Sequence, residues 1–332
     1  MSEEHLSIKE RGTYLITGGL GGIGKKLSSY LLANYRDIIL VLIGRSELNE
    51  KNREFVSNNM SIEYRVCDIT NFKDCENLIE SITKCYGDLN GIFHCAGIHN
   101  DQLIVRKDTS EFKNVLMPKV CGTANLDNAS RNCNLDFFVM FSSLASIIGN
   151  VGQADYAVAN AFMDNYAKYR NDLVAQGKRR GRTISINWPL WEDGGMEIDE
   201  IYKKQIEKST GLIPLSSGDG LAFLKEIMQG QYTQSIPVKG DISKIQNYMI
   251  QEPDDNTSRS ENSNYAGDYS HNELKKLLIE KIKGYIEEEI KIDKNKLRSE
   301  VLFTEYGIDS VISIQLINKL EQEFGILPKT LF

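Results

Sequence analysis

The chain has 332 residues, with 39 Lys and Arg against 46 Asp and Glu and a formal net charge of −7. At ~150 residues per domain that length gives about two domains, and 41% apolar residues supply enough for a buried core, which excludes wholesale disorder. The acidic balance provides no cationic face for a general nucleic-acid binder, while leaving room for a local basic pocket.

From residue 13 to about residue 240, short apolar runs alternate with longer helical patterns. Strands are expected at Thr13–Thr17, Ile38–Ile43, Ile62–Val66, Gly91–Cys95, Phe137–Phe141, Thr183–Asn187 and Ile236–Val238. Helices are expected at Gly22–Asn34, Lys73–Tyr86, Glu111–Ser130, Tyr156–Gln176 and Gly218–Gln229. Several strands are continuously apolar or β-branched, the pattern of strands covered on both faces. Alternation repeated this often predicts an α/β fold, a doubly wound parallel sheet of Rossmann type with right-handed crossovers. Pro189–Leu215 interrupts it with Pro189, Gly194, Gly195, Gly211 and Pro214 around a short charged helix. Following a strand's C-terminal end, this segment reads either as a mobile lid or as an ordinary long connection.

The stretch QEPDDNTSRSENSNYAGDYSHN, starting at Gln251, is almost free of aliphatic residues and reads as a flexible linker over 251–272. Beyond it, Glu273–Ile290 places Leu274, Leu277, Leu278, Ile282 and Ile286 on one side of a helix. A second helix is expected from Ser310 to Phe324, with Ile314, Ile317, Leu320 and Phe324 at helical spacing. The expected division is therefore a Rossmann-type domain over 1–250, the linker, and a small partial all-α domain over 273–332. The longest aliphatic run, Ile38–Ile43, is about a third of a membrane span, and the charged N-terminus has no apolar signal core. Cys67, Cys75, Cys85, Cys95, Cys121 and Cys133 form no CxxC pair, which suits free thiols in a reducing cytoplasm and no metal site.

Between the first strand and the first helix lies Thr17-Gly18-Gly19-Leu20-Gly21-Gly22-Ile23-Gly24. Gly19-x-Gly21-x-x-Gly24 satisfies the dinucleotide fingerprint, and the strand–turn–helix context separates it from a merely structural turn. Its glycines permit close approach of backbone N–H groups to a pyrophosphate, which the helix N-terminus then faces. About 20 residues on, where an NAD site holds the ribose 2′-hydroxyl with an acid, the second strand ends Gly44-Arg45-Ser46. A cation there suits a 2′-phosphate and favours NADPH; otherwise Arg45 is a solvated loop residue. Asp68, after the third strand, is placed to accept from the adenine amino group or to cap the next helix. Ala96-Gly97, after the fourth strand, would line the cofactor floor.

The fifth strand ends Phe141-Ser142-Ser143, and Tyr156 and Asn160 follow at i, i+4 spacing on one helix face. Lys119 stands on an earlier helix in MPKVCGT. Singly these are a strand-end cap, a core aromatic and a surface charge; together they make an acid, its activator and a carbonyl holder. The stretches TYLITGGLGGIG, the Arg45 turn, FHCAG, MPKVCGT, FSSLASIIGNVGQADYAVANAFMD and INWPLW resemble a short-chain dehydrogenase/reductase. They are most similar to the ketoreductase domain of a modular type I polyketide synthase, over residues 13 to about 240. Simple members of the superfamily carry Tyr-x-x-x-Lys, whereas Tyr156-x-x-x-Asn160 with the lysine at Lys119 is the arrangement of the modular ketoreductases.

The resemblance implies NADPH-dependent reduction of a carrier-bound 3-oxoacyl thioester to the 3-hydroxyacyl thioester. Tyr156 would protonate the ketone oxygen, Ser143 would donate a second hydrogen bond, and Asn160 would position Lys119 or a proton-relay water. An unperturbed Tyr pKa is about 10, and a nearby Lys119 ammonium is expected to lower it. Gly307-Ile308-Asp309-Ser310-Val311 resembles an acyl carrier domain's attachment motif, making Ser310 the acceptor of 4′-phosphopantetheine from a phosphopantetheinyl transferase; alone, Ser310 reads as a helix N-cap. A structural half-domain before the first strand and the later carrier elements have no counterpart in this sequence, so it reads as a piece of a larger synthase with neighbouring synthase domains as partners. The Leu-Asp-Asp stretch of ketoreductases that give a D-hydroxyl aligns with His99-Asn100-Asp101, and the Trp of the opposite type aligns with Ile148. The resemblance thus implies a D-hydroxyl product, unless Asp101 is only a solvated loop acid. A free-standing reductase of a small ketone is disfavoured by Asn160 and the carrier motif, and a catalytically silent scaffold by the complete Lys119, Ser143, Tyr156 and Asn160 set.

Overall fold

The computed structural model describes residues 8–194, 200–250 and 271–298, residue 301, and scattered positions between 303 and 320. Ser310, Gly307 and Asp309 lie outside the described residues. The chain divides into two compact units, Met1–Asp101 with Lys107–Ile250, and Gln102–Arg106 with Gln251–Phe332.

The first unit opens with β1 (Thr13–Thr17), α1 (Gly22–Asn34), β2 (Ile39–Gly44), α2 (Glu50–Ser57), β3 (Ile62–Val66), α3 (Phe72–Tyr86) and β4 (Gly91–His94). It continues with α4 (Thr109–Ala129), β5 (Phe137–Ser143), the single turn α5 (Ala145–Ile148), α6 (Ala154–Ala175) and β6 (Arg182–Trp188). It ends with α7 (Glu200–Thr210), α8 (Ser217–Gln229), β7 (Gln234–Ser235) and α9 (Ile242–Ile250). All seven strands run parallel in the order β3-β2-β1-β4-β5-β6-β7.

Successive side chains of a strand point to opposite faces, and here each face has its own core. Tyr14, Ile16, Leu40, Leu42, Phe137 and Val139 enter one apolar cluster, while Leu15, Val41, Ile43, Ile92 and Phe138 enter another. That division is why these strands are apolar at every position rather than at alternate ones. Helix starts are set by local chemistry. Asn71 accepts from Lys73 N–H at the head of α3, Asp108 and Glu111 form a capping box on α4, and Ser216 caps α8.

Three helices, α2, the single turn α5 and α9, fall where the sequence predicts none. Helix α2 buries no residue fully, and its two apolar residues, the adjacent Phe55 and Val56, are too few to set a helical period. The seventh strand lies at Gln234–Ser235 rather than Ile236–Val238. Ile236 is 38% exposed there, and Pro237 has no N–H to give to a ladder.

Helices α4 and α6 are joined by a buried polar network. Asp127 on α4 is fully buried and accepts from Arg170 Nε at 2.6 Å, from Arg179 Nε at 3.0 Å and from Tyr166 Oη at 3.0 Å. The Arg170 guanidinium also donates to the carbonyls of Gly181 and Arg180 and to Thr183 Oγ1, and it stacks 5.1 Å from the Phe138 ring centroid. Both charges therefore have partners inside the fold.

In the second unit, α10 (His271–Ile290) contributes Ile282, Tyr285, Ile286 and Ile290 to a small cluster with Leu297, Ile308 and Leu316. Leu277 and Leu278, expected on the same apolar face, are 55% and 44% exposed, so only the C-terminal half of that face is covered. Among the described residues no helix is long and apolar enough to cross a membrane, and no three His, Cys, Asp or Glu side chains are grouped to hold a metal ion.

Candidate active site

The site residues gather at the C-terminal ends of the parallel strands, where open α/β sheets bind ligands. At the end of β1, Gly18 takes φ +63°, and a Cβ on it would lie 2.9 Å from Ala96 Cα. A Cβ on Gly24 would lie 2.5 Å from Gly18 O, so the turn between β1 and α1 folds back on its own backbone. No side chain caps α1 and its first turn holds no acid. The backbone N–H groups at its start are therefore available to an anion, which is the fit a pyrophosphate needs. Leu20 and Ile23 are partly buried and pack against the core.

Thr17 differs from a simple ligand contact. Its Oγ1 accepts from Ala96 N–H at 3.0 Å and shares a hydrogen bond of 2.7 Å with His94 Nδ1. His94 is fully buried, and desolvation together with the nearby Lys119 charge pushes its pKa down to about 3. The imidazole is thus neutral, and the Thr17 hydroxyl ties β1 to the end of β4. Gly18, Arg45, Asp68, Ala96 and Gly97 border one cleft. Arg45 is exposed, and among the described residues no carboxylate pairs with it. Asp68 Oδ1 accepts from Thr70 N–H at 3.0 Å and Thr70 Oγ1 at 2.8 Å, while Asn71 caps α3, so capping is not the work of Asp68.

On the other side of Gly97 stands Lys119, whose Cε would be 2.8 Å from a Cβ on that glycine. Lys119 is 3% exposed; its Nζ donates to Phe141 O at 2.8 Å, lies 3.6 Å from Met163 Sδ, and sits 5.9 Å from the Tyr156 ring centroid. Desolvation lowers its pKa to about 8. Tyr156 is held above the ordinary phenol range, because burial outweighs the hydrogen bonding of Ser143 and Asn160. The expected lowering of this phenol by Lys119 is thus not the balance the site strikes: the ammonium is aimed at the Phe141 carbonyl and lies beside the ring. Asn160 donates to Tyr156 O at 2.7 Å, and its Oδ1 is buried without a partner among the described residues. Lys119, Ser143, Tyr156 and Asn160 are therefore brought together by α4, β5 and α6.

Asp101 accepts from Gln153 Nε2 at 2.8 Å, just ahead of α6, and its charge adds to the upward push on Tyr156. Ile148 packs in a cluster with Leu144, Leu212 and Ile245. Two features escaped the sequence reading. One is the buried ion pair of Lys107 with Asp155, the residue before Tyr156, whose carboxylate also accepts Tyr156 N–H at 2.8 Å. The other is a polar cluster of Ser146, Asp164, Ser185 and Asn187 behind Ser143. The i, i+4 step from Asn160 to Asp164 is the signal that points to it.

The KR domain family matches residues 12–193, and the C-terminal ACP domain of highly reducing polyketide synthase sdgA matches residues 264–331. Polyketide synthase PksN of Bacillus subtilis is 36% identical over 98% of this chain, and PksL of the same organism is 34% identical over 100%. The chain spans 6% and 8% of the length of those relatives. A solved ketoreductase domain from the bacillaene assembly line is 38% identical, with a TM-score of 0.72 over 75% of this chain and 61% of that one. An N-terminal ketoreductase from the macrolactin assembly line is also 38% identical, with a TM-score of 0.66 over 74% of this chain and 48% of that one.

Proposed function

The chain belongs to the ketoreductase (KR) domain family of polyketide synthases, oxidoreductases of the short-chain dehydrogenase/reductase superfamily, with an acyl carrier segment behind it; on that premise we propose that it reduces a carrier-bound 3-oxoacyl thioester to the 3-hydroxyacyl thioester with NADPH. The observation that carries this reading is the meeting of Lys119, Ser143, Tyr156 and Asn160 beside the uncapped start of α1. The turn Gly18–Gly24 and Arg45 would hold the cofactor's phosphates, with Ala96 and Gly97 beneath it. When bound, NADPH supplies the hydride.

The protein's own part is proton delivery and charge stabilisation. Burial keeps the Tyr156 phenol protonated near neutrality, so it donates its proton to the ketone oxygen as negative charge develops there. Ser143 Oγ supplies the second hydrogen bond to that oxygen. The Lys119 ammonium, beside the Tyr156 ring, stabilises the phenolate left behind, and Asn160 Oδ1 is placed to hold the water that returns a proton to it.

Incubating the chain with NADPH and a simple 3-oxoacyl thioester, then resolving the alcohol by chiral chromatography, tests both reaction and stereochemistry. The expected product is the D-hydroxyl, because Asp101 borders the start of α6 and Ile148 carries no indole. A predominantly L-configured alcohol would refute the role of Asp101, and no turnover would refute the reaction. Arg45→Ala should weaken NADPH binding by about tenfold or more, the worth of a charge-assisted phosphate contact of ~1.5–3 kcal/mol. It should leave NADH nearly unchanged. Equal use of both cofactors by the unaltered protein would remove the assignment.

Ser310 is proposed as the phosphopantetheine attachment site, served by a phosphopantetheinyl transferase, with neighbouring synthase domains in the cytoplasm as partners. Intact-mass measurement after incubation with coenzyme A and such a transferase should show one added arm, lost in Ser310→Ala. An arm retained by that variant would place attachment elsewhere.

A further inference from the structure

Asp164 is 6% exposed, and three donors converge on it: Ser185 Oγ at 2.6 Å from Oδ1, and Ser146 Oγ at 2.7 Å and Asn187 Nδ2 at 2.8 Å from Oδ2. Among the described residues no lysine or arginine forms an ion pair with it. A buried carboxylate without a paired cation is costly, and these hydrogen bonds are what make it tolerable. Asp164 stands one helical step beyond Asn160 and two beyond Tyr156, on the same face of α6.

Its donors also hold the end of β5. Ser146 Oγ lies 2.8 Å from Ser143 O, so this hydroxyl bridges Asp164 and Ser143, donating to one at a time. Asn187 Nδ2 lies 3.3 Å from Ser143 O and 3.2 Å from Ser142 Oγ. The amide is held this way round because a turned amide would set its oxygen against the Asp164 carboxylate; its Oδ1 accepts from Gln234 Nε2 at 3.0 Å.

We propose that Asp164 is a positioning residue for the carbonyl-holding side of the site: its carboxylate anchors the Ser143 end of β5 through Ser146 and Asn187. The proposal rests on the reductase reading above. The same helix carries the groups on the other side: Met163, next to Asp164, sets its Sδ 3.6 Å from Lys119 Nζ, and Asn160 donates to Tyr156 O at 2.7 Å. Tying Asp164 to the end of β5 and to β6 therefore fixes the face of α6 that bears Tyr156 against Ser143.

The test uses the full chain with a simple 3-oxoacyl thioester. Ser146→Ala cuts one link between Asp164 and Ser143 and should lower kcat about tenfold with KM for NADPH unchanged. Asp164→Asn, which turns an acceptor of three hydrogen bonds into an amide, should lower kcat at least as far with the same KM, and Asp164→Glu should recover part of the loss. An unchanged kcat in Ser146→Ala or in Asp164→Asn, or a loss of kcat matched by a rise in KM for NADPH, overturns the proposal. If the Asn variant does not fold, Asp164→Glu takes its place: a reduced kcat supports the proposal, and full kcat overturns it. If the unaltered protein reduces no 3-oxoacyl thioester, the reductase reading fails, while amide hydrogen exchange at the end of β5 still decides the anchor: faster exchange in Ser146→Ala supports it, and unchanged exchange overturns it.

Discussion

Tyr156→Phe should lower kcat by about 10²–10⁴-fold, the range contributed by a positioned general acid. The exchange keeps the ring beside Lys119 and removes only the hydroxyl, so packing and the cation–ring contact survive. NADPH affinity, read by fluorescence titration, should be unchanged, because Gly18 and Arg45 line a cleft of which Tyr156 is not a lining residue. A rate within a few-fold of the unaltered protein would show that the proton comes from elsewhere, water or Ser143 being the remaining donors. The raised phenol also sets a direction with pH. A Tyr held above its ordinary value stays protonated throughout the neutral range, so any alkaline loss of activity near pH 8 is to be traced to Lys119.

The largest effect on stability is expected from Asp127→Ala. That change leaves the Arg170 guanidinium buried with no carboxylate, a loss of about 3–5 kcal/mol for breaking one side of a buried pair. Arg170 is already pushed below the usual arginine range, chiefly by desolvation, and Asp127 is the charge that resists it. Urea unfolding of the chain should show a lower midpoint with an unchanged slope for the first unit. Loss within about 1 kcal/mol would mean that the carbonyls of Arg180 and Gly181 with Thr183 suffice to hold the cation. The pair lies at the far end of α4 and α6 from Tyr156, so the surviving folded fraction should keep its kcat.

The strands were legible because this sheet has a core on each face, and an apolar run such as Leu40-Val41-Leu42-Ile43 feeds both in alternation. The pairing of Tyr156 with Asn160 was legible from helical spacing, whereas no spacing rule ties Lys119 to them, since it joins them from another helix. Helix α2 was illegible for the converse of the strand argument: only the adjacent Phe55 and Val56 of its eight residues are apolar, and they are no more than partly buried. The polar interior was the least legible part. Asp127 and Asp164 are acids in the middle of helices, and a sequence shows neither the Arg170 that meets the first nor the Ser185 and Asn187 that meet the second. Thr17 is a similar case. Its position in the fingerprint suggests a ligand contact, and the competing partner is a histidine whose place beside it is set only by the β1–β4 register.

During synthesis, the strand order makes the glycine-rich turn wait. β1, β2 and β3 can pair as they emerge, but the hydroxyl of Thr17 meets His94 only 77 residues later, when β4 arrives on the opposite side of β1. At ~5–20 residues per second the turn stays without its floor, Ala96, for several seconds. Ser143 then waits a further 44 residues for Asn187. Such pairings must bear the entropy of closing long loops before they return any contact energy. The two halves of the cleft are thus completed by separate, late-arriving segments, and a nascent chain halted between β4 and β6 would own a finished nucleotide turn beside an unfinished Ser143.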